Sequence, residues 1–243
     1  MDRSFALIRP GGHHAFKDHG HGFCFTNNTS IMIKKALKKY DLDRVLLWDW
    51  DAHHFDGTQS IFYENKNVLT ISTHQDGRTL FPGTGSIEEN GKGKGRGYNM
   101  NIPLKPGSSD KAYLEVTEKI LKPAAASFKP DLLVIQAGQD NHYTDPLTDL
   151  DLTAKGYARL MKKAVETAKK HCNSKTVSIL GGGYGIEGGL PYTNLAVIAA
   201  MAKLDTSNIR EPKKYEKPDL SKKLTETRRL INKIKQEHPF KFR

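Results

Sequence analysis

A short apolar run that ends in acidic and imidazole side chains limits what this 243-residue chain can fold into. Val45–Trp48 has the composition of a buried strand, and Asp49–Gly57 follows where that strand should end. Because side chains alternate along an extended segment, Asp49, Asp51 and His53 share one face. Two half-buried carboxylates repel each other and lose hydration unless a cation holds them. The pattern therefore predicts a divalent metal site; the alternative is a helix-capping Asp beside packed or exposed histidines.

The same order of elements recurs along the chain. Apolar runs predict further strands at Phe5–Ile8, Val68–Ser72, Asn99–Leu104, Asp131–Ala137 and Val177–Leu180. Helices with apolar stripes are predicted to begin at Thr26–Asn28, Ser108 or Ser109, Thr153 and Pro191. Strand, helix and strand in repetition indicate βαβ units, a parallel sheet and one α/β domain.

The unusual polar residues all follow predicted strand ends. In open parallel sheets, ligands bind beyond the carboxyl ends of the strands. We therefore expect one rim to collect His13 and His14, Asp49–Asp56, the loop after Ser72, Asp140 and Gly181–Tyr184.

The net charge of +11 is concentrated near the C-terminus. Residues 203–243 hold thirteen Lys or Arg and six Asp or Glu, which is +7 of the total. After Pro212 and Pro218, the spacing of apolar residues predicts an amphipathic helix with Leu220, Leu224, Leu230, Ile231 and Ile234. We expect a main domain over residues 1–204 and a basic C-terminal extension over residues 205–243. The extension is either a solvated helix face or a contact for an anionic partner such as nucleic acid.

Cysteine content and hydrophobicity favour the cytoplasm. Cys24 and Cys172 form no disulfide framework, as is typical of a reducing compartment. The longest apolar run, Leu195–Ala202, is far too short to span a bilayer, so we expect no membrane role.

Six motifs follow one another along this chain: Arg9–Ala15, Gly22–Asn28, Asp49–Gly57, Phe81–Gly85, Ala137–Asp140 and Gly181–Tyr184. They resemble, in order, the motifs of the zinc-dependent histone deacetylase family. That family includes acetylpolyamine amidohydrolases and acetoin-utilisation-type proteins, and it shares its fold with arginase. The resemblance implies a three-layer α/β/α domain around a mainly parallel sheet.

The resemblance also implies metal sites. Asp51, His53 and Asp140 correspond to three metal ligands, and a nitrogen and oxygen set without thiolate suits zinc but also iron(II), cobalt or manganese. Ser72, with backbone carbonyls around Asp49, Asp51 and His53, resembles a structural potassium site.

The resemblance also implies residues that transfer protons. His13 and His14 resemble the histidine pair beside the metal-bound water, with Asp49 and Asp56 as their partners. Tyr184, which follows three glycines, corresponds to a hydroxyl donor to the developing oxyanion; the alternative is an ordinary surface tyrosine.

The resemblance further implies a substrate tunnel. Gly22, Phe23 and Phe81 correspond to residues of the narrow tunnel that holds an acetylated alkylamine, and apolar walls suit a methylene chain without charge. The alternative for the two phenylalanines is core packing.

The chain departs from the family pattern at three places. Phe55 stands where glycine is usual, and Gln139 replaces an apolar or small residue. The long region that normally precedes the Arg9–Pro10 motif is missing from the sequence, which could leave a sheet edge and core surface exposed. We expect a partner chain or oligomer to complete that side, an upstream start, or a reduced domain.

Three functions stay open on this basis. The first is a metal-dependent deacetylase acting on acetyl-lysine in proteins or on acetylated polyamines. The second is an arginase-like hydrolase, which would need further bridging aspartates. The third is a non-catalytic protein that binds acetylated amines, or nucleic acid through residues 212–243.

Overall fold

A computed structural model describes residues 2–215 and 221–242. The strands are β1 (Arg3–Ala6), β2 (Val45–Asp49), β3 (Val68–Gln75), β4 (Asn99–Leu104), β5 (Leu132–Ala137) and β6 (Thr176–Leu180). The helices are α1 (Asn28–Lys39), α2 (Asp56–Phe62), α3 (Asp110–Val116), α4 (Lys122–Phe128), α5 (Ala154–His171), α6 (Gly189–Met201) and α7 (Ser221–Glu237). In this described part, no helix combines the length and the apolar character that crossing a membrane requires.

The described strands form one six-stranded sheet in the order β1-β6-β5-β2-β3-β4, and every pair is parallel. Strand β2 lies inside the sheet, so Asp49 at its carboxyl end is flanked by Ser72 on β3 and Gln136 on β5. The prediction of a parallel α/β sheet is confirmed, and the strand ends meet at one edge.

Helices cover both faces of the sheet because β2 sends alternate side chains to opposite sides. Leu46 and Trp48 belong to a main core that also contains buried side chains of α3 to α7. Val45 and Leu47 belong to a second core with buried residues of α1 and α2. The result is the predicted three-layer α/β/α arrangement.

Several elements differ in extent from their predictions: α6 begins at Gly189 rather than at Pro191, and β5 and β6 each begin one residue away from the predicted start. Three further differences concern β1, β3 and the helix after Ser108. Strand β1 covers Arg3–Ala6 rather than Phe5–Ile8, since its register with β6 pairs Arg3 with Thr176 and Ala6 with Ile179. Strand β3 continues to Gln75, because β4 still pairs with it there. The helix predicted from Ser108 or Ser109 begins at Ser109 as N-cap and contains a π-helical turn, Thr117–Leu121, between α3 and α4.

The amphipathic C-terminal helix is α7, and it packs onto the domain. Ile231 and Ile234 are 2% and 1% exposed and belong to the main core. Predicted Leu220 lies outside the described residues. The boundary after residue 204 remains a prediction, but the apolar face of α7 is continuous with the core that α3 and α5 also line.

We predict that Ile234→Ala lowers the free energy of unfolding by about 2–4 kcal/mol, because it removes buried methyl groups and leaves a cavity. Ile31→Ala is the matched control, since Ile31 is 56% exposed on α1 and should cost less than about 1 kcal/mol. Urea unfolding of both variants measures the difference. Equal, small effects would mean that α7 contributes nothing to the stability of the core.

Candidate active site

The loops that follow β1, β2, β5 and β6 meet at one edge of the sheet. Backbone hydrogen bonds join them: Gln139 N donates to Gly182 O at 2.9 Å, and Trp50 N donates to Gln136 O at 3.2 Å. A side-chain bond from Trp50 Nε1 to Gly138 O at 2.8 Å ties the β2 and β5 loops together. The polar residues predicted for this edge are therefore held by several strands at once.

Asp51, His53 and Asp140 form a buried cluster, and one ligand atom from each lies within 4.8 Å of the other two. His53 Nδ1 is 2.9 Å from Asp140 Oδ2 and 3.2 Å from Asp51 Oδ1. Gly182 N donates to Asp51 Oδ2 at 2.6 Å, and Ala52 N donates to Asp140 Oδ1 at 2.9 Å. The three predicted metal ligands converge, and backbone donors fix both carboxylates.

Charge in this cluster is balanced by protons on its own side chains. Burial, and then the charge of Asp51, raise the pKa of Asp140 to about 7. Burial opposes a charged His53, but hydrogen bonds to Asp140 and Asp51 outweigh it and raise the pKa of His53 to about 10. The two carboxylates thus require positive charge between them, which is the condition that a divalent cation satisfies.

His13 and His14 lie beside the cluster, each with a carboxylate. His13 Nδ1 is 2.9 Å from Asp49 Oδ2, and His14 Nδ1 is 2.6 Å from Asp56 Oδ1. The two imidazole centroids are 4.0 Å apart. The predicted partners are therefore in place at hydrogen-bond distance, and they fix the ring orientations.

The two histidines carry different charge. Burial opposes the charged form of His13, but the charges of Asp51 and Asp49 outweigh it and raise its pKa well above the ordinary value. Burial, and then the charge of His13, lower the pKa of His14 to about 4. At neutral pH, His13 is cationic in the metal-free protein and His14 is neutral.

Tyr184 lies on a turn that two charged side chains hold. Arg9 donates to Gly181 O at 3.0 Å and Gly183 O at 2.9 Å, and its guanidinium lies over the Tyr184 ring, 5.5 Å from the centroid. Tyr184 N donates to Asp145 Oδ2 at 2.8 Å. Burial, and then the charges of the aspartates in the cluster, raise the pKa of Tyr184, so its hydroxyl keeps its proton.

The predicted tunnel residues surround the histidine pair. Phe23 is 74% exposed and lies 6.1 Å from the Tyr184 ring, while Phe81 is 46% exposed and lies 5.1 Å from the His14 ring. Phe23, Gly22, His14 and Tyr184 line a cavity of about 290 Å³, and Phe81 lies outside this lining. Neither phenylalanine is packed in a core.

A larger cavity of about 460 Å³ lies between α7 and the loop that follows β3, and none of the predicted site residues lines it. Nearer the site, Ser72 is buried and its Oγ pairs with His74 Nδ1 at 2.8 Å. The potassium site around Ser72 therefore remains a prediction.

Sequence reasoning missed three polar residues of the site: Arg9, Asp145 and His21. Arg9 lies in a motif that was used only for its histidines. Asp145 lies in the loop after β5 but well beyond the strand end, and its role rests on the hydrogen bond from Tyr184 N, which the sequence does not signal. His21 lies 3.0 Å from Asp56 Oδ2 through its Nδ1, and its place directly before Gly22 was the available signal.

A family model described as Histone deacetylase domain matches residues 1–201. The chain belongs to the histone deacetylase domain family. A crystal structure of the HDA15 HD domain is similar to the chain with a TM-score of 0.82 and 34% identity, over 98% of this chain and 63% of that one.

Three curated relatives are similar in sequence. A probable deacetylase of Archaeoglobus fulgidus is 55% identical over 88% of this chain and 59% of its own length. A histone deacetylase-like amidohydrolase of Pseudomonas aeruginosa is 37% identical over 87% of this chain and 55% of its own length. The acetoin utilization protein AcuC of Bacillus subtilis is 44% identical over 74% of this chain and 46% of its own length. The chain thus spans about half the length of these relatives.

We predict that Asp49→Asn lowers the pKa of His13 by about 1–3 units, because asparagine keeps the size of the partner but removes its charge. A nitrogen NMR titration of the imidazoles in the metal-free chain measures this. The control is Asp18→Asn, which removes an exposed carboxylate 2.7 Å from His19 and should leave His13 unchanged. If His13 keeps its pKa in Asp49→Asn, Asp51 alone holds its proton.

Proposed function

We propose that this chain forms a metal-dependent amidohydrolase site that removes an acetyl group from an N-acetylated amine. The observation that carries the proposal is the contact between two groups of residues: His13 Nε2 lies 3.8 Å from Asp51 Oδ1, so the histidine pair adjoins the Asp51, His53 and Asp140 cluster. Amide hydrolysis needs a metal site and proton-transfer groups within reach of the same atoms. Relatives named as a deacetylase and an amidohydrolase support this reaction class.

The donor set of the cluster fits a divalent ion. Two buried carboxylates and one imidazole are ligands of zinc, and iron(II), cobalt and manganese accept the same set. We infer that Asp51, His53 and Asp140 would hold zinc. When bound, the ion would lower the pKa of a water molecule and polarise the substrate carbonyl.

His14 is the residue that we assign to proton transfer. It is neutral at neutral pH, because burial lowers its pKa to about 4, and its Nδ1 is held by Asp56. Its Nε2 is therefore free to accept a proton from the attacking water. The carbon–oxygen bond forms, the carbon–nitrogen bond breaks, and His14 returns the proton to the amine that leaves.

His13 and Tyr184 stabilise negative charge in this scheme. Asp49 holds His13 through Nδ1, and His13 Nε2 faces Asp51, so a proton on that nitrogen lies next to the reacting atoms. Tyr184 retains its hydroxyl proton and donates a hydrogen bond to the developing oxyanion, a contribution worth about 2.7–4 kcal/mol in comparable sites. Arg9 and Asp145 position the turn that carries Tyr184.

The substrate in this proposal is an acetylated alkylamine, either acetyl-lysine in a protein or an acetylated polyamine. The exposed ring of Phe23 at the cavity offers a methylene chain an apolar surface. We also place the protein in the cytoplasm, which its two buried free cysteines support.

We expect Asp140→Asn to reduce bound zinc by one ion per chain and to abolish hydrolysis of an acetyl-lysine peptide and of acetylated spermidine. The reason is that the asparagine side chain is neutral, whereas the site depends on the negative charges of Asp51 and Asp140 to hold a cation. Metal analysis after dialysis and an amine-release assay measure the two effects. Asp205→Asn, at an exposed position, is the control and should match the unsubstituted chain. Full hydrolysis in Asp140→Asn would exclude this metal site from the reaction.

Tyr184→Phe should lower kcat by about 100- to 1,000-fold and leave bound metal and KM nearly unchanged, because only the transition state gains the hydrogen bond. Tyr40→Phe, at a residue 64% exposed on the surface, is the matched control and should keep full kcat. Steady-state kinetics on both variants separate the outcomes. A fall confined to KM would mean that Tyr184 binds substrate without acting on the oxyanion.

A further inference from the structure

His21 begins a hydrogen-bonded turn that is packed against His14. His21 N donates to Cys24 O at 3.0 Å, and Cys24 N donates to His21 O at 2.8 Å. The two central residues, Gly22 and Phe23, have φ of +49° and +63°, the conformation of a type I′ turn. A Cβ on Gly22 would lie 2.4 Å from His14 Cδ2, so the turn approaches His14 as closely as a glycine permits.

Asp56 faces two imidazoles. Its Oδ1 accepts hydrogen bonds from His14 Nδ1 at 2.6 Å and from Gly57 N at 2.9 Å. Its Oδ2 lies 3.0 Å from His21 Nδ1. The three side chains converge at the mouth of the site, where the aromatic rings of Phe81 and Phe16 flank His21 at 5.0 and 5.8 Å.

The contact between His21 and Asp56 has the distance of a hydrogen bond but not its direction. Within the described part of the chain, His21 Nδ1 is buried and has no hydrogen-bond partner, although the side chain as a whole is 38% exposed. A buried nitrogen without a partner is costly. Two ligand atoms on one zinc ion, each bonded at about 2.0–2.1 Å, lie roughly 3–3.5 Å apart, and the observed separation of 3.0 Å is at that spacing.

The hydrogen bonds of Asp56 also suit a metal ion. Asp56 Oδ1 accepts from His14 Nδ1 and from Gly57 N, so the carboxylate is held in a fixed orientation. An imidazole binds a cation through a nitrogen lone pair, and His14 Nδ1 gains one when its hydrogen moves to Nε2. Among the described residues, the group of His14, His21 and Asp56 converges within 4.8 Å, as does the cluster of Asp51, His53 and Asp140, and the two share no ligand.

We propose that His14, His21 and Asp56 form a second divalent-cation site, separate from the Asp51, His53 and Asp140 cluster, which takes zinc or an ion of similar ligand preference. Two imidazoles and one carboxylate are a common zinc set, and the partly exposed position of His21 leaves room for water as a further ligand. The ion would replace the hydrogen bond between His14 and Asp56.

An ion in this site prevents His14 from accepting a proton, an inference that rests on the proposed function. With Nδ1 donating to Asp56, the Nε2 of neutral His14 can accept a proton. With an ion on Nδ1, the ring proton resides on Nε2, which then has no lone pair for the attacking water. Zinc in excess of one ion per chain should therefore inhibit the hydrolysis that the first ion supports.

The test is a titration of Zn²⁺ into the metal-free 243-residue chain, followed by calorimetry and by metal analysis after gel filtration. We expect the unsubstituted chain to bind two ions, and the His21→Gln and Asp140→Asn variants to bind one ion each. The double variant should bind none. The matched control is His19→Gln, which changes an exposed neighbouring histidine that pairs with Asp18 and should still bind two ions. Circular dichroism confirms that each variant is folded.

One ion in the unsubstituted chain, or two in His21→Gln, would overturn the second site. The activity arm uses acetyl-lysine peptide over the same zinc range. Hydrolysis should rise to one ion per chain and then fall by about 100-fold or more, the contribution of a general base, and His21→Gln should not show the fall. Two bound ions without hydrolysis at any zinc ratio would reject the proposed function and leave the second site intact.

Discussion

Three carboxylates without exposed surface, those of Asp49, Asp51 and Asp140, are the constraint on which the rest of this structure depends. Each needs donors or cations from its surroundings, and the fold supplies them from the backbone of neighbouring loops and from the imidazoles of His13 and His53. The glycines follow from the same constraint. A Cβ at Gly138 would lie 2.2 Å from Asp51 Oδ2, and one at Gly182 would lie 2.2 Å from Asp140 Oδ2.

Much of this could be predicted from strand ends alone. Asp49 to His53, Asp140 and Gly181 to Tyr184 each follow an apolar run, and the rule for parallel sheets brings them together without knowledge of their contacts. His21 and Asp145 could not be found in this way, because their roles arise from tertiary contacts to Asp56 and to the Tyr184 backbone. The early end of β1 and the late end of β3 likewise reflect pairing partners rather than local composition.

The two unusual residues of the motifs are accommodated by the same packing. Phe55 is fully buried in the second core together with side chains of α1 and α2, and its ring centroid lies 5.4 Å from that of His54. Gln139 bonds to Asn194 and Thr193 of α6 and so fastens the β5 loop to that helix. The basic helix α7 also forms ion pairs with the rest of the domain, since Arg228 pairs with Glu115 and Lys233 pairs with Glu88.

The side chains of the Asp51, His53 and Asp140 cluster come from loops after two strands that are distant in sequence, with His53 and Asp140 separated by 87 positions. During synthesis, β2 and its loop leave the ribosome long before β5 can pair beside them. A growing chain therefore cannot assemble this cluster until most of the sheet exists, and the proposed affinity of the cluster for a metal ion would depend on completed assembly. Metal retention would then report correct pairing of β5 with β2 in any truncated or circularly permuted form of the chain.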